Sequence, residues 1–314
     1  MLGAAHKPGA MPLRPLGLGD MFDAAFRVIR FNPKATVGSS VLVAAVTMVI
    51  PILVTAVLTA SVDVTLQDTG SPDDAATLGY AGSFGSLAVG LVLFVFGSLL
   101  VTGMVAHVVA AAAVGRRLSL GEAWAATRGK RWRLIGLAVL LWLGFLLAMG
   151  LYVLAWVVIA LNAPTGLVVA WGFVTVPAFV AFLAWYWIRV YYLPVPVLML
   201  EDVGILGAVG RGLRLTRKQF WRTLGIALLT GIVVGIASNI LAFPITLVGQ
   251  IGSVAVGGRY ALLILIVSQA LAQVVSAAFA TPFTSAVTSL QYLDQRMRKE
   301  AYDVELMRQA GLTG

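Results

Sequence analysis

Six long apolar stretches separated by short polar segments set the hydropathic pattern of this chain, over residues 37–60, 86–113, 134–161, 167–200, 223–250 and 261–290. A hydrocarbon core about 30 Å thick takes roughly 20 residues of helix, because only the helix itself can satisfy backbone polar groups there. Each stretch meets that length. The pattern predicts an all-α, polytopic integral membrane protein with six transmembrane helices.

Three of the connecting segments keep a helical period instead. Residues 20–30 set Phe22, Ala25, Phe26 and Ile29 on one face and Asp20, Asp23, Arg27 and Arg30 on the other, with Asp23 and Arg27 spaced to pair. Ser119 and Glu122 form a capping-box pattern, after which Trp124 and Thr127 should face lipid while Arg128 and Arg131 face headgroups. In the third, Leu206, Val209, Leu213, Thr216 and Phe220 make an apolar stripe opposite Arg211, Arg214 and Lys218. All three read as interfacial amphipathic helices on the cytoplasmic side. The expected organisation is a cytoplasmic N-terminal segment over 1–36, a six-helix membrane domain over 37–290 and a cytoplasmic helical tail over 291–314. Residues 1–10, before Met11, read either as an overextended start or as a disordered tail.

Composition agrees with a membrane class. Of 314 residues, 60% are hydrophobic and 11% charged, whereas soluble domains carry about 25% charged residues. Six spans with short connections leave no room for a separate soluble catalytic domain. The net charge of +9 raises nucleic acid as a partner. Its basic residues sit beside the spans, however, as in the cytoplasmic flanks of bacterial inner-membrane proteins, so anionic lipid headgroups are the expected counter-charge and nucleic acid is not. Arg14, Arg27, Arg30 and Lys34 precede the first span, and the next loop holds Asp63, Asp68, Asp73 and Asp74 without a basic residue. Basic clusters return at 116–133, at 211–222 and in the tail at Arg296, Arg298, Lys299 and Arg308. The other two turns carry only Arg259 between them. Both termini are therefore expected in the cytoplasm, with no cleaved signal. Absence of cysteine excludes disulfides, thiolate nucleophiles and Cys-ligated metals.

Residues 127–136 and 216–225 align in register at Thr, Arg, Trp, Arg and Gly, and residues 29–38 form a weaker third copy. The chain thus reads as three parallel units, each an interfacial helix followed by a helical hairpin. Such repeats occur in transporters and also in membrane domains that transport nothing.

The run Pro196-Val-Leu-Met-Leu-Glu201-Asp-Val-Gly204 with Ala208, Arg211, Leu215-Thr216 and Phe220-Trp221-Arg222 resembles the membrane domain of glycerophosphoryl diester phosphodiesterases and its YciC-like stand-alone relatives. Leu16-Gly-Leu-Gly-Asp20, Phe26-Arg27 and Arg30-Phe-Asn-Pro33 resemble the N-terminal pattern of the same group. Arg211 is followed by Gly212, where the family pattern has Ser. The resemblance implies a six-helix, non-catalytic membrane module, fused in some relatives to a soluble phosphodiesterase domain. That catalytic domain needs several His and acidic metal ligands, and this chain has only His6 and His107.

Several residues carry candidate chemistry. His107 lies inside the second span, either as a neutral group bonded to a neighbouring helix or as a proton relay or ligand contact. Arg189 sits among Trp185, Tyr186, Trp187, Tyr191 and Tyr192, as an interfacial anchor or a lipid-phosphate ligand. Ala227, Gly231, Gly235 and Asn239 form a small-residue ridge for close helix packing. Gln269, Gln273, Ser276 and Thr284 make a polar stripe on the sixth span, as glue between helices or as a cavity lining. Pro51, Pro177, Pro194, Pro196, Pro244 and Pro282 should kink their spans. Candidate headgroup or partner contacts are Arg128, Arg131, Arg189, Arg211, Arg214 and Lys218; candidate cavity residues are His107, Asn239, Gln269, Gln273 and Ser276. No catalytic motif, metal cluster or cofactor fingerprint is present in the sequence. The reading is a non-enzymatic module of the cell membrane that organises lipids or membrane and cytoplasmic protein partners; a small-molecule or lipid transporter with a cavity along span six is the alternative.

Overall fold

The computed structural model describes residues 9–68, 72–309 and 311. Its helices in chain order are α1 (Leu18–Phe31), α2 (Pro33–Asp68), α3 (Pro72–Ala113), α4 (Leu120–Ala126), α5 (Arg131–Asn162) and α6 (Thr165–Tyr186). A π-helical segment (Trp187–Tyr191) follows, then α7 (Pro194–Leu200), α8 (Ile205–Thr216), α9 (Phe220–Val256), α10 (Gly258–Glu300) and α11 (Tyr302–Gln309). No strand occurs among the described residues. Six helical runs are long and apolar enough to span a bilayer: Pro33–Val54, Val92–Ala113, Arg131–Asn162, Thr165–Leu200, Phe220–Val256 and Leu263–Glu300. These are the marks of a multi-pass membrane protein. Residues 1–8 and 69–71, parts of the expected tail and acidic loop, lie outside the described residues.

Burial concentrates at one end of the bundle, where α3 from Leu99 to Ala113, α7, and α10 from Phe283 to Gln295 meet. Three observations revise the expected organisation there. Gly9 and Ala10 are not loose, since the Ala10 amide donates to Ala112 at 2.9 Å and Met11, Leu13 and Leu16 are buried. Helix α1 turns its apolar side onto its own bundle: Met21, Ala24, Ala25 and Val28 are buried, and Phe22 stacks on Phe283 at 5.7 Å. Asp23 and Arg27 pair at 2.7 Å, as their spacing requires. Finally, α10 continues unbroken through residue 290 to Glu300, and its turns beyond Leu290 bury Gln291, Tyr292, Leu293, Asp294 and Gln295.

The fourth span is interrupted rather than simply kinked. Pro194 has no N–H to offer Val190, so the ladder before it widens, and the Tyr192 amide bonds back five residues to Trp187 at 2.9 Å. Pro194 then opens α7 as its first residue. Pro51, Pro177, Pro244 and Pro282 remain inside continuous helices.

The α5–α6 hairpin projects from this core. Helix α6 has no buried residue, and α5 buries only Leu134, Leu137, Ala138 and Leu141 near its start. Tyr152 stacked on Phe179 at 3.9 Å holds the two arms together. Helices α9 and α10 pack closely where Gly249 meets Ser268; a Cβ at Gly249 would collide with that side chain. The small-residue ridge is not that contact, because Gly231 and Gly235 face open space and Asn239 donates to Gly235 on its own helix at 2.8 Å.

Three columns of the sequence alignment coincide with local geometry. Pro33, Arg131 and Phe220 each begin a long helix. Thr36, Leu134 and Thr223, the fourth residues of those helices, are each buried. Gly129 and Lys218 both take the left-handed conformation, at φ +83° and +65°.

Candidate functional site

The charged end of the bundle is built around two carboxylates, Asp294 fully buried and Glu201 half-buried. Asp294 is fully buried on α10 and accepts the Leu16 amide at 2.7 Å. Arg222, two residues into α9, donates to its Oδ2, and Arg298 Nε lies 3.0 Å from both carboxylate oxygens. The same two guanidiniums also donate to the Leu16 carbonyl, at 2.7 and 3.0 Å. One carboxylate and the backbone N–H and C=O of Leu16 thus fasten the N-terminal strap, α9 and α10. A buried carboxylate is tolerated only with such pairing, since an unpaired one costs several kcal/mol.

Glu201, at the end of α7, forms the second node. Arg211 Nε lies 3.0 and 3.2 Å from its oxygens, and the Tyr292 hydroxyl donates to it at 2.8 Å. Arg211 reaches on to Glu300 at 2.6 Å, and Arg296 joins Glu300 at 3.0 Å while covering the Tyr302 ring at 3.8 Å. Burial works against the Arg211 charge, but Glu201 and Glu300 outweigh it and raise its pKa. Lysines close the remaining helix ends. Lys299 donates to the carbonyls of Arg214, Leu215 and Arg217 beyond α8, and Lys130 to those of Met199 and Glu201 beyond α7. At α4 the Ser119 amide, then its hydroxyl, hold the Glu122 carboxyl below the usual carboxylate range.

These contacts sort the basic residues into structural and free. Arg211 is committed to Glu201 and Glu300. Arg131 lies over Trp124 at 3.7 Å and donates to Thr127, which is buried and does not face outward as its period suggests. Arg128, Arg214 and Lys218 are exposed, as is Arg217. Trp132 and Trp221, each beside that set, are 83% and 80% exposed. Arg189 lies on the π-helical segment with its Nε buried and without a hydrogen bond. Asp202 meets exposed Arg133 at 3.6 Å.

The expected cavity residues do not converge. Gln269, Gln273 and Asn239 are exposed, and Ser276 donates to the Ser238 carbonyl of α9 at 3.2 Å, which is glue between helices. His107 Nε2 is buried and forms no hydrogen bond. A pocket of about 250 Å³ lies elsewhere, between α3, the π-helical segment and α10, lined by hydroxyls of Ser98, Thr102, Tyr192, Thr284, Ser285 and Thr288. An apolar cavity of about 500 Å³ adjoins it across Trp187 and Tyr191.

Comparison with family models, curated proteins and solved structures found no match. Function therefore has to be argued from the geometry of this chain.

Sequence reasoning missed Asp294, Tyr292, Glu300 and the hydroxyl pocket around Tyr192. For Asp294 a signal existed. Phe283, Val287, Leu290 and Asp294 fall on one helical face, so the carboxylate extends the buried stripe of α10.

Proposed function

We propose that this chain is a non-catalytic membrane module whose charged end grips anionic lipid headgroups, and proteins gathered on them, at the cytoplasmic leaflet of a bacterial plasma membrane. One observation carries the reading. Two tryptophans exposed at 83% and 80%, Trp132 and Trp221, stand at helix starts beside exposed Arg128 and beside Arg214, Arg217 and Lys218. Indole rings with a polar edge belong at headgroup depth, and each basic residue at an anionic surface adds about 1 kcal/mol. Arg211 and Arg131 serve instead to hold the helix ends on which the free cations stand.

The shared helix starts and left-handed positions support an internal repeat of interfacial helix and hairpin, which would present this feature at two similar sites. The resemblance to the glycerophosphoryl diester phosphodiesterase membrane domain supports the same six-helix, non-catalytic architecture. The positive flanks favour both termini inside.

The test is direct. Replacing Arg214, Arg217 and Lys218 together by Gln should remove about 3 kcal/mol if the contributions add, which is on the order of a hundredfold in association. Spin-labelled phosphatidylglycerol in nanodiscs reads that loss against phosphatidylcholine; equal association of both proteins contradicts the proposal. The transporter reading keeps one favourable observation, the interrupted fourth span beside a cavity. Substrate flux in proteoliposomes lost on filling that cavity is what it requires.

A further inference from the structure

The hydroxyl pocket has a donor and acceptor balance that selects its occupant. Ser98 donates to the Val95 carbonyl at 2.9 Å, Thr102 to Ser98 at 2.8 Å and Thr288 to Thr284 at 2.9 Å, all within their own helices. Having spent their protons, these hydroxyl oxygens can still accept. Thr102 and Ser285 also share a bond at 2.9 Å across α3 and α10. Tyr192 is only 6% exposed, and its hydroxyl is buried beside Thr288 without completing a hydrogen bond of normal geometry. An idle buried hydroxyl is costly, so this donor awaits something. No charged residue and no His lines the pocket.

The pocket therefore offers acceptors from Ser98, Thr102 and Thr288, neutral hydroxyl donors from Tyr191, Tyr192, Thr281 and Thr284, and no cation. A phosphate would bring negative charge against lone pairs with nothing to offset its desolvation. A neutral group with hydroxyls of its own can both donate to those oxygens and accept from Tyr192 and its neighbours. On the other side of Trp187 and Tyr191, the larger cavity is walled by Leu141, Trp142, Phe145 and Val180, and the Tyr186 hydroxyl there is spent on the Leu141 carbonyl at 2.6 Å. At about 500 Å³ it falls within the range of ligand sites. We infer that the two cavities form one site for a neutral glycerolipid, a mono- or diacylglycerol, with its glycerol hydroxyls on Tyr192 and the serine–threonine cluster and its chain along Trp142 and Phe145. The π-helical segment makes the junction by directing Trp187 and Tyr191 to the shared wall. The inference rests on the lipid-binding reading above, but uses a neutral pocket where that reading uses exposed cations.

A diazirine-bearing monoacylglycerol, photolysed with the intact protein in phosphatidylcholine nanodiscs, tests it. Labelling should be saturable, map to residues 94–102, 141–145, 180–195 or 280–288, and be displaced by unlabelled monoacylglycerol but not by free glycerol. Tyr192→Phe should weaken labelling about fivefold, the loss of one hydrogen bond, while leaving the melting temperature unchanged or higher, since it deletes an unpaired hydroxyl. Labelling spread over the outward faces of α5, α6 and α9, displacement by free glycerol, or a Tyr192→Phe protein labelled like the parent would each overturn the site. Retained phosphatidylglycerol association beside any of those results would remove this pocket assignment and leave the basic surface standing.

Discussion

Asp294 sits at zero exposure with three groups meeting it at once: the Leu16 amide, Arg222 and Arg298. Removing the charge while keeping the volume isolates that role. Asp294→Asn should lower stability by about 3 kcal/mol, at the lower end for a broken buried pair because both guanidiniums retain some solvent contact. Thermal unfolding in detergent reads it as a melting point several degrees lower; an unchanged curve contradicts the clasp. Tyr292→Phe, which removes one bond to Glu201, should cost about 1 kcal/mol. Arginines at this end divide by the same logic. Arg211→Gln should destabilise, whereas Arg214→Gln should leave the melting point in place and weaken lipid association, because only Arg211 is tied to carboxylates.

At the scale of elements, the turn between α8 and α9 forces Lys218 to φ +65°, a conformation in which its Cβ crowds the backbone; the matching turn before α5 uses Gly129 at +83°. Lys218→Gly should therefore stabilise the protein by about 0.5–1 kcal/mol while lowering anionic-lipid association, and Gly129→Ala should destabilise it by about 1 kcal/mol. Denaturation and lipid-binding measurements on the same variants separate the two effects; a Lys218→Gly protein less stable than the parent contradicts the strain. The helices themselves were legible. Apolar length announced the spans, and Ser119-x-x-Glu122 announced the start of α4. Which way the amphipathic faces turn was not legible, because an apolar stripe looks the same whether it meets lipid or Phe283. Pairing of Arg211 with Glu201, ten residues away, was within reach of the sequence, whereas its second partner Glu300 is 89 residues away and meets it only after the chain has folded. The hydroxyl pocket escaped because Ser98, Thr102, Tyr192 and Thr288 come from three segments, each with only a sparse polar pattern.

The whole molecule joins a tied, charged end to apolar helices that project away from it. Phe173 is 80% exposed on α6, which buries no residue at all. In water that surface would drive aggregation, while in hydrocarbon it costs nothing. Lys299 reaching Arg217, Lys130 reaching Glu201, and the Leu118 amide bonded to Asn32 at 3.0 Å bring the ends of α3, α7, α8 and α10 to the starts of α2, α5 and α9. All the basic clusters therefore belong to one membrane face, and the turn between α5 and α6 to the opposite one. The natural absence of cysteine makes single-cysteine labelling clean. With a membrane-impermeant maleimide, Lys218→Cys should react in inverted vesicles and stay protected in intact spheroplasts, and Thr165→Cys should show the reverse. Labelling of Lys218→Cys from outside intact spheroplasts would contradict a charged end seated on the inner leaflet.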